Sequence, residues 1–144
     1  MKISTRGRYG VRLLIDLAER GIGETVPLAA IGERQRISAR YLEQVAVLLR
    51  RAGFINSQKG PSGGFSLVRP ADGITVAEVL RALEGDILIV DPPVSGQRES
   101  PLQRCVRTVI YDRLNARIAR LLEGTTIASL VGTVDPDESL MYHI

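Results

Sequence analysis

Apolar residues recur at helical spacing in four stretches of this chain, and between the second and third the spacing gives way to something shorter. Val11, Leu14, Ile15 and Ala18 stand at i, i+3, i+4 and i+7, with Leu13 and Leu17 widening the stripe. They predict a helix with one buried face, ending at Gly21-Ile22-Gly23. Leu42, Val45, Leu48, Leu49 and Ala52 do the same for a helix opened by Ser38, whose hydroxyl can accept from its first amides. Gly53 can take the left-handed conformation past its end. The polar side of that helix carries Arg40, Glu43 and Gln44 near its N-terminus. Pro27 to Arg34 predicts a shorter helix before it, with Gln35-Arg36-Ile37 as the turn, and short helix, brief turn and amphipathic helix make a helix-turn-helix.

The shorter pattern follows at once. Phe54-Ile55 and Phe65-Ser66-Leu67-Val68 predict two short strands, joined by the turn Gly60-Pro61-Ser62-Gly63-Gly64 with Lys59 at its shoulder. Thr75-Val76-Ala77-Glu78 is a capping box, and Val76, Val79, Leu80 and Leu83 give the helix it opens an apolar face that stops at Gly85. Residues 86–100, centred on Asp91-Pro92-Pro93-Val94-Ser95-Gly96, predict a loop. Ser100-Pro101-Leu102-Gln103 restarts helix with a second capping box. That helix is expected to run unbroken to Glu123, roughly 35 Å at about 1.5 Å per residue. Leu102, Val106, Val109, Ile110, Leu114, Ile118, Leu121 and Leu122 form its seam, long enough on so small a protein to predict a second copy packed against it. Thr126 caps a last short turn, Ile127 to Val131, before an acidic tail that ends Leu140-Met141-Tyr142-His143-Ile144.

The fold class this predicts is mainly α: a winged helix-turn-helix (three-helix core plus β-hairpin wing) with a long C-terminal dimerisation helix. The expected divisions are a winged helix-turn-helix domain over 1–85, a loop over 86–100, the dimerisation helix and short following helix over 101–132, and a C-terminal tail over 133–144. No charged-then-apolar leader opens the chain, and no apolar run is long enough for a bilayer, so a cytoplasmic protein without a membrane partner is expected.

Charge sharpens the picture. Residues 1–70 hold twelve Lys and Arg against five Asp and Glu, net +7, and residues 71–144 hold seven against eleven, net −4, which together give the overall +3. A basic half on an acidic half points to a polyanion partner for the first alone. Arg and Gln can make paired hydrogen bonds to guanine and adenine, which gives Arg40 and Gln44 a base-reading chemistry. A glycine-rich hairpin with a cation at its tip is the wing of a winged helix, which enters the minor groove. Lys2, Arg6, Arg8 and Arg12 precede the first acid, Asp16, so the start of the first helix can hold a phosphate through Thr5, Arg6, Tyr9 and its free amides. Enzymatic chemistry is not expected. The glycine turn lacks the Lys-Ser/Thr of a phosphate loop and lies between strands, and the only histidine, His143, has nothing to pair it with the only cysteine, Cys105. A protein-interaction module that borrows the fold without DNA is the reading the basic half argues against.

Met1-Lys2-Ile3-Ser4-Thr5-Arg6-Gly7-Arg8-Tyr9-Gly10, Tyr41-Leu42-Glu43-Gln44, Lys59-Gly60-Pro61-Ser62-Gly63-Gly64-Phe65 and Leu83-Glu84-Gly85 together resemble the Rrf2 family of dimeric bacterial winged-helix transcription regulators, over nearly the whole chain. The resemblance implies double-stranded DNA with a near-palindromic operator as partner. It implies that Arg40, Glu43 and Gln44 face bases, that Lys59 enters the minor groove, and that Thr5, Arg6, Tyr9, Ser38, Tyr41, Gly60 and Gly63 hold phosphates. Relatives often carry arginine at the wing, so Lys59 is expected to read groove width less sharply.

Cluster-binding members carry three cysteines in and after the loop. Here Cys105 stands near the last of them, Pro92, Pro93 and Arg98 occupy the region of the others, and Thr108 sits near where a histidine ligand occurs. Iron–sulfur clusters need four ligands, mostly thiolates, so no cofactor is expected and Cys105 reads as a small buried hydrophobe rather than a redox sensor. A redox- or iron–sulfur-responsive regulator of the same family remains the alternative. The cluster-free branch nearest in pattern is the cysteine-metabolism repressor, which works in complex with cysteine synthase (O-acetylserine sulfhydrylase). By that likeness Tyr142, His143 and Ile144 are a docking tail, offering a terminal carboxylate to backbone amides and an aliphatic side chain to a pocket.

Overall fold

The computed structural model describes residues 2–133. The predicted tail residues Tyr142, His143 and Ile144 lie outside them. Helices α1 (Thr5–Arg20), α2 (Leu28–Gln35) and α3 (Ala39–Arg51) are followed by strands β1 (Ile55–Gln58) and β2 (Gly64–Leu67), then by α4 (Val76–Glu84). After the loop come α5 (Pro101–Val106), a π-helical segment (Arg107–Tyr111), α6 (Asp112–Gly124) and the short α7 (Ile127–Leu130). This is the winged helix expected, with its long C-terminal element. Among the described residues no helix is long and apolar enough to cross a membrane.

Local signals set most boundaries. The hydroxyls of Ser38, Thr75, Ser100 and Thr126 each accept from the amide three residues on, and both capping boxes close, Glu78 returning to Thr75 and Gln103 to Ser100. Gly53 and Gly85 take positive φ just past α3 and α4.

β1 and β2 pair antiparallel with Ile55 opposite Leu67 and Gln58 opposite Gly64, so the ladder begins one residue later than expected at Phe54 and one earlier at Gly64. The chain before α2 adds a third edge that local pattern did not announce. Val26 and Phe65 exchange both backbone hydrogen bonds, at 2.8 and 2.9 Å.

The core is centred where α1, α3 and α4 meet. Leu13, Leu14 and Leu17 of α1 are fully buried, whereas Val11, Ile15 and Ala18 are only half-covered, so the expected stripe is rotated toward its own flank. The rotation follows from close approach. A Cβ at Gly7 would stand 3.1 Å from Leu80 and one at Gly10 would stand 2.2 Å from Leu83, so α1 meets α4 through its two glycines. In α3, Leu42, Val45, Ala46 and Leu49 are buried, Leu48 is half-covered, and Ala52, placed on this face by spacing, is exposed because the helix has ended. Ile127 of α7 returns to the core, its amide donating to the Ile74 carbonyl at 2.8 Å.

The expectation of one unbroken α-helix from Pro101 to Glu123 is corrected at Arg107–Tyr111. Arg107 and Asp112 are five apart, which in an α-helix leaves them about 140° from one another at 3.6 residues per turn. The π turn brings them together: the Asp112 amide donates to the Arg107 carbonyl, and the Arg107 guanidinium reaches the Asp112 carboxylate at 2.8 Å. The same guanidinium is held on its other side by both oxygens of Glu99, at 2.6 and 2.8 Å.

Among the described residues one charged side chain lies inside the core. Asp16, 1% exposed, accepts two bonds from Arg34 of α2, at 2.7 and 3.1 Å, and one from the Gln35 amide at 2.9 Å. Burial pushes its carboxyl up, but the bonds from Arg34 and Gln35, with the charges of Arg34 and Arg20, outweigh that and hold it below the ordinary value of 3.8. A depressed carboxyl contributes stability that is present above its unfolded value and lost as pH falls through the folded one. Asp16→Asn is therefore expected to cost about 1–2 kcal/mol near neutrality, below what breaking a fully buried pair costs and above a surface pair, because Arg34 is a third exposed. Urea unfolding followed from pH 6 to pH 2.5 checks this: below pH 4 the native protein should lose stability more steeply than the variant.

Candidate nucleic-acid interface

Helix α3 turns one side to the core and the other outward. Arg40, Glu43 and Gln44 are all exposed. What fixes that helix is the turn before it. Arg36 takes a left-handed conformation (φ 55°), unusual for a residue with a side chain, and the Ile37 amide closes on the Gly32 carbonyl at 2.9 Å. A Cβ at Gly32 would lie 2.7 Å from the Ile37 carbonyl oxygen, so the turn closes tightly only over a glycine. Arg12 of α1 adds a second tie, bonding the carbonyl of Gln35 and, at 3.3 Å, its side-chain oxygen. The sequence reading missed Arg12, Asp16 and Arg34 as the frame of the helix-turn-helix. Asp16 had left a signal, a charge set between Ile15 and Leu17 in an apolar stripe.

The residues expected to hold phosphates divide into groups. On the helices, Tyr9 and Tyr41 meet edge to face with ring centres 5.4 Å apart, and the Arg12 guanidinium lies 5.3 Å above the Tyr9 ring. This contact joins the start of α1, with Thr5 and Arg6, to the start of α3, with Ser38 and Tyr41, in one surface. Arg6 is exposed, while the Thr5 hydroxyl accepts from Arg8 at 3.1 Å. The first amides of α1 are less free than the sequence suggested: the Gly7 amide donates to the Ser4 hydroxyl at 3.2 Å, and Ser4 itself is held by Glu84 through amide and hydroxyl. On the wing, Gly60 takes φ 103°, and the Gly63 amide is spent inside the turn on the Gly60 carbonyl, at 2.9 Å.

The wing is fastened to the helix beside it. The Phe54 amide donates to the Leu49 carbonyl at 3.1 Å, and Arg50 reaches the Ser57 hydroxyl at 3.1 Å. Lys59 stands exposed at the tip. Among the described residues, Lys2, Arg6, Arg36, Arg40, Arg51 and Lys59 are exposed with no carboxylate in salt-bridge range, whereas the basic residues of the ion pairs, Arg34, Arg69, Arg81 and Arg107, serve internal contacts. Arg98, Arg104, Arg113, Arg117 and Arg120 of the loop and C-terminal element are also exposed outside the ion pairs. It is therefore the net charge of the first seventy residues, twelve Lys and Arg against five Asp and Glu, that marks the winged helix as the surface suited to a polyanion.

Cys105 is exposed, which corrects the expectation of a buried hydrophobe. It lies just before Val106 and Arg107, the residues of this stretch that turn partly inward, so it stays open among the described residues.

A family model described as an iron-dependent transcriptional regulator, Rrf2, matches residues 3–133. The chain is 36% identical over 146 residues to the HTH-type transcriptional regulator CymR of Bacillus subtilis, covering all of both chains. It is also 36% identical over 135 residues to the regulator IscR of Cereibacter sphaeroides, covering 91% of this chain and 87% of that one. The solved structure of CymR, the global cysteine regulator of B. subtilis, superimposes with a TM-score of 0.81 at 33% identity, over 94% of this chain and 99% of that one. Iron appears in the family description, but the residues here do not fit an iron–sulfur cluster. Cys105 is the only thiol in the sequence, and among the described residues no three His, Cys, Asp or Glu side chains are grouped to hold a metal.

The third edge under the wing gives a direct test of how the hairpin is held. A Cβ at Gly64 would stand 2.2 Å from the Val26 carbonyl oxygen. Gly64→Ala is expected to cost about 1–3 kcal/mol by overpacking. Hydrogen exchange should show the Val26 and Phe65 amides losing protection, with the helices still formed.

Proposed function

The chain belongs to the Rrf2 family of transcription regulators, and from that premise we propose that it is a homodimeric, sequence-specific DNA-binding repressor. The observation that carries the proposal is the exposed set Arg40, Glu43 and Gln44 on a helix held by the closed Gly32–Ile37 turn before it and by the wing bonded to its end, the wing presenting an unpaired Lys59. In this reading α3 lies in the major groove, with Arg40 and Gln44 making paired bonds to guanine or adenine and Glu43 accepting from cytosine. Lys59 enters the minor groove. Thr5, Arg6, Tyr9, Ser38, Tyr41, Gly60 and Gly63 hold the backbone, with the Gly60–Gly63 turn presenting its shape rather than the Gly63 amide. Two copies joined along α5 and α6 place two such helices about one turn of DNA apart on a near-palindromic operator. The matched relatives are transcription regulators, and this chain is one rather than an enzyme.

Duplexes selected from genomic fragments test the reading. Each phosphate neutralised adds about 0.9 to the slope of log affinity against log salt, so binding should collapse between low and moderate salt. Arg6→Ala should weaken every duplex alike and lower that slope, whereas Gln44→Ala should change the preferred base by about 1–3 kcal/mol at one position of each half-site. A protein that runs as a monomer by light scattering, or that binds no duplex in dilute buffer, refutes the proposal.

The finer reading is cysteine metabolism, supported by the full-length match to CymR. Tyr142, His143 and Ile144 then dock the regulator on cysteine synthase through the terminal carboxylate and the Ile144 side chain. Deleting Ile144 should abolish capture of purified cysteine synthase and leave DNA binding to the free protein intact. Undiminished capture removes the tail from the interaction.

A further inference from the structure

Beyond the polar trio, α3 presents one more side chain on the same line. Val47 follows Arg40, Glu43 and Gln44 at i+7, i+4 and i+3, the spacing that keeps four residues on one helical face. It is 39% exposed. Within the helices α1, α2, α3 and α4 it is the only large apolar side chain left so open, although single exposed apolar residues are common elsewhere on the surface, as at Ile22 in a turn, Val68 after β2 and Val94 in the loop. The core does not use it. Its neighbours Leu42, Val45, Ala46 and Leu49 take the buried positions, and Val47 points away with Glu43 and Gln44. Helix propensity does not favour it either, since a β-branched residue at an open helical site is worse than Ala, Glu or Lys.

An apolar group on a base-reading face has one partner in the major groove. Three of the four bases offer only donors and acceptors there, and the fourth, thymine, offers a C5-methyl group. We infer that Val47 is a specificity-determining residue that packs its methyl groups against a C5-methyl in the major groove, carried by thymine, one base step beyond the position read by Gln44. The inference rests on the proposed DNA-binding mode and deepens it by naming the base feature read.

The experiment uses the full-length protein and the duplex it selects from a random pool. At each thymine of the half-site, deoxyuridine is substituted, which removes the methyl group and leaves every hydrogen-bonding atom in place. A parallel series carries cytosine or 5-methylcytosine at the same position, to separate the methyl group from the base that bears it. At one thymine per half-site the native protein should lose affinity about 4-fold on losing the methyl group, from the burial of one such group. Methylating the cytosine of the parallel series should recover a similar factor. Val47→Ala should bind the thymine duplex less tightly by a comparable factor and no longer distinguish thymine from deoxyuridine, while its thermal unfolding stays unchanged or rises. If no duplex is bound, the regulator reading falls and this inference with it. If a duplex is bound but no thymine is sensitive to loss of its methyl group, or if Val47→Ala keeps the full sensitivity, the inference alone is overturned.

Discussion

The approach of α1 to α4 decides how everything else is arranged. With no side chain at Gly7 or Gly10, the two helices come close enough for Leu80 and Leu83 to sit against the α1 backbone. That closeness turns α1 so that Leu13, Leu14 and Leu17 meet α3 in the middle of the core. Once α1 is set in this way, its two ends acquire separate duties. Its start reaches Glu84 through Ser4 and meets Tyr41 through Tyr9. Its later turns carry Arg12 and Asp16 to α2. A larger residue at Gly7 would first meet the flexible end of Glu84, whereas one at Gly10 would press on Leu83 and so on the two helices that frame the proposed reading head. The cost would fall on the placement of α3 as well as on stability.

The buried Asp16 is part of the same economy of position. Hydrophobic contact alone leaves a short helix such as α2 free to slide, because apolar packing is not directional. A carboxylate that must satisfy both oxygens is directional. Arg34 and Gln35 can supply it only when α2 stands at one height and one rotation. The strained Arg36 and the closed Gly32–Ile37 turn then carry that register into α3. The positions of Arg40, Gln44 and Val47 are thus set by residues that never face outward. Arg12 and Arg34, with internal partners, hold the frame, while Arg6, Arg36 and Arg40 stand exposed without a carboxylate in salt-bridge range.

Helix α3, its caps and the wing were legible in the sequence because their signals are local: Ser38 at the cap, Gly53 after the end, and the glycine-rich turn between two apolar pairs. The Rrf2 likeness was legible for a different reason, since four separated motifs had to agree. The centre of the α1 stripe was not. Spacing alone placed Val11 and Ile15 beside Leu14, and the choice between flanks depended on Gly7 and Gly10 meeting a helix seventy residues away. The Val26–Phe65 pairing and the return of Ile127 to the core failed for the same reason, each being a contact between segments with no pattern of their own. Of the candidate site, the structure gathers Tyr9 with Tyr41. It also shows that the amides expected to be free at the start of α1 are partly engaged.

The long C-terminal element is where local and global requirements part. A capping box, good helix formers and a steady apolar seam all favour continuous α-helix from Pro101 onward, yet the chain inserts a π turn at Arg107–Tyr111. Adding a residue to one turn moves everything after it by about 100° around the axis at 3.6 residues per turn, so α5 and α6 present their apolar sides in different directions. Arg107 holds that offset in place, bound to Glu99 before the helix and to Asp112 after the turn, and a guanidinium held between two carboxylates has directions that a leucine would lack. The outcome is an element whose seam the described residues do not cover: Leu102 is 73% and Leu121 68% exposed, with Val109, Ile110 and Leu114 open between them. The winged-helix helices leave a single large apolar side chain in that condition, and the C-terminal element leaves a row of them. Solvent alone does not account for the difference, because the apolar area would be stabilised by burial at about 25 cal/mol per Å². In the proposed dimer a second copy of the same element, bringing the same offset in reverse order across a two-fold axis, would cover both directions at once, which a straight helix pairing along one stripe would not require.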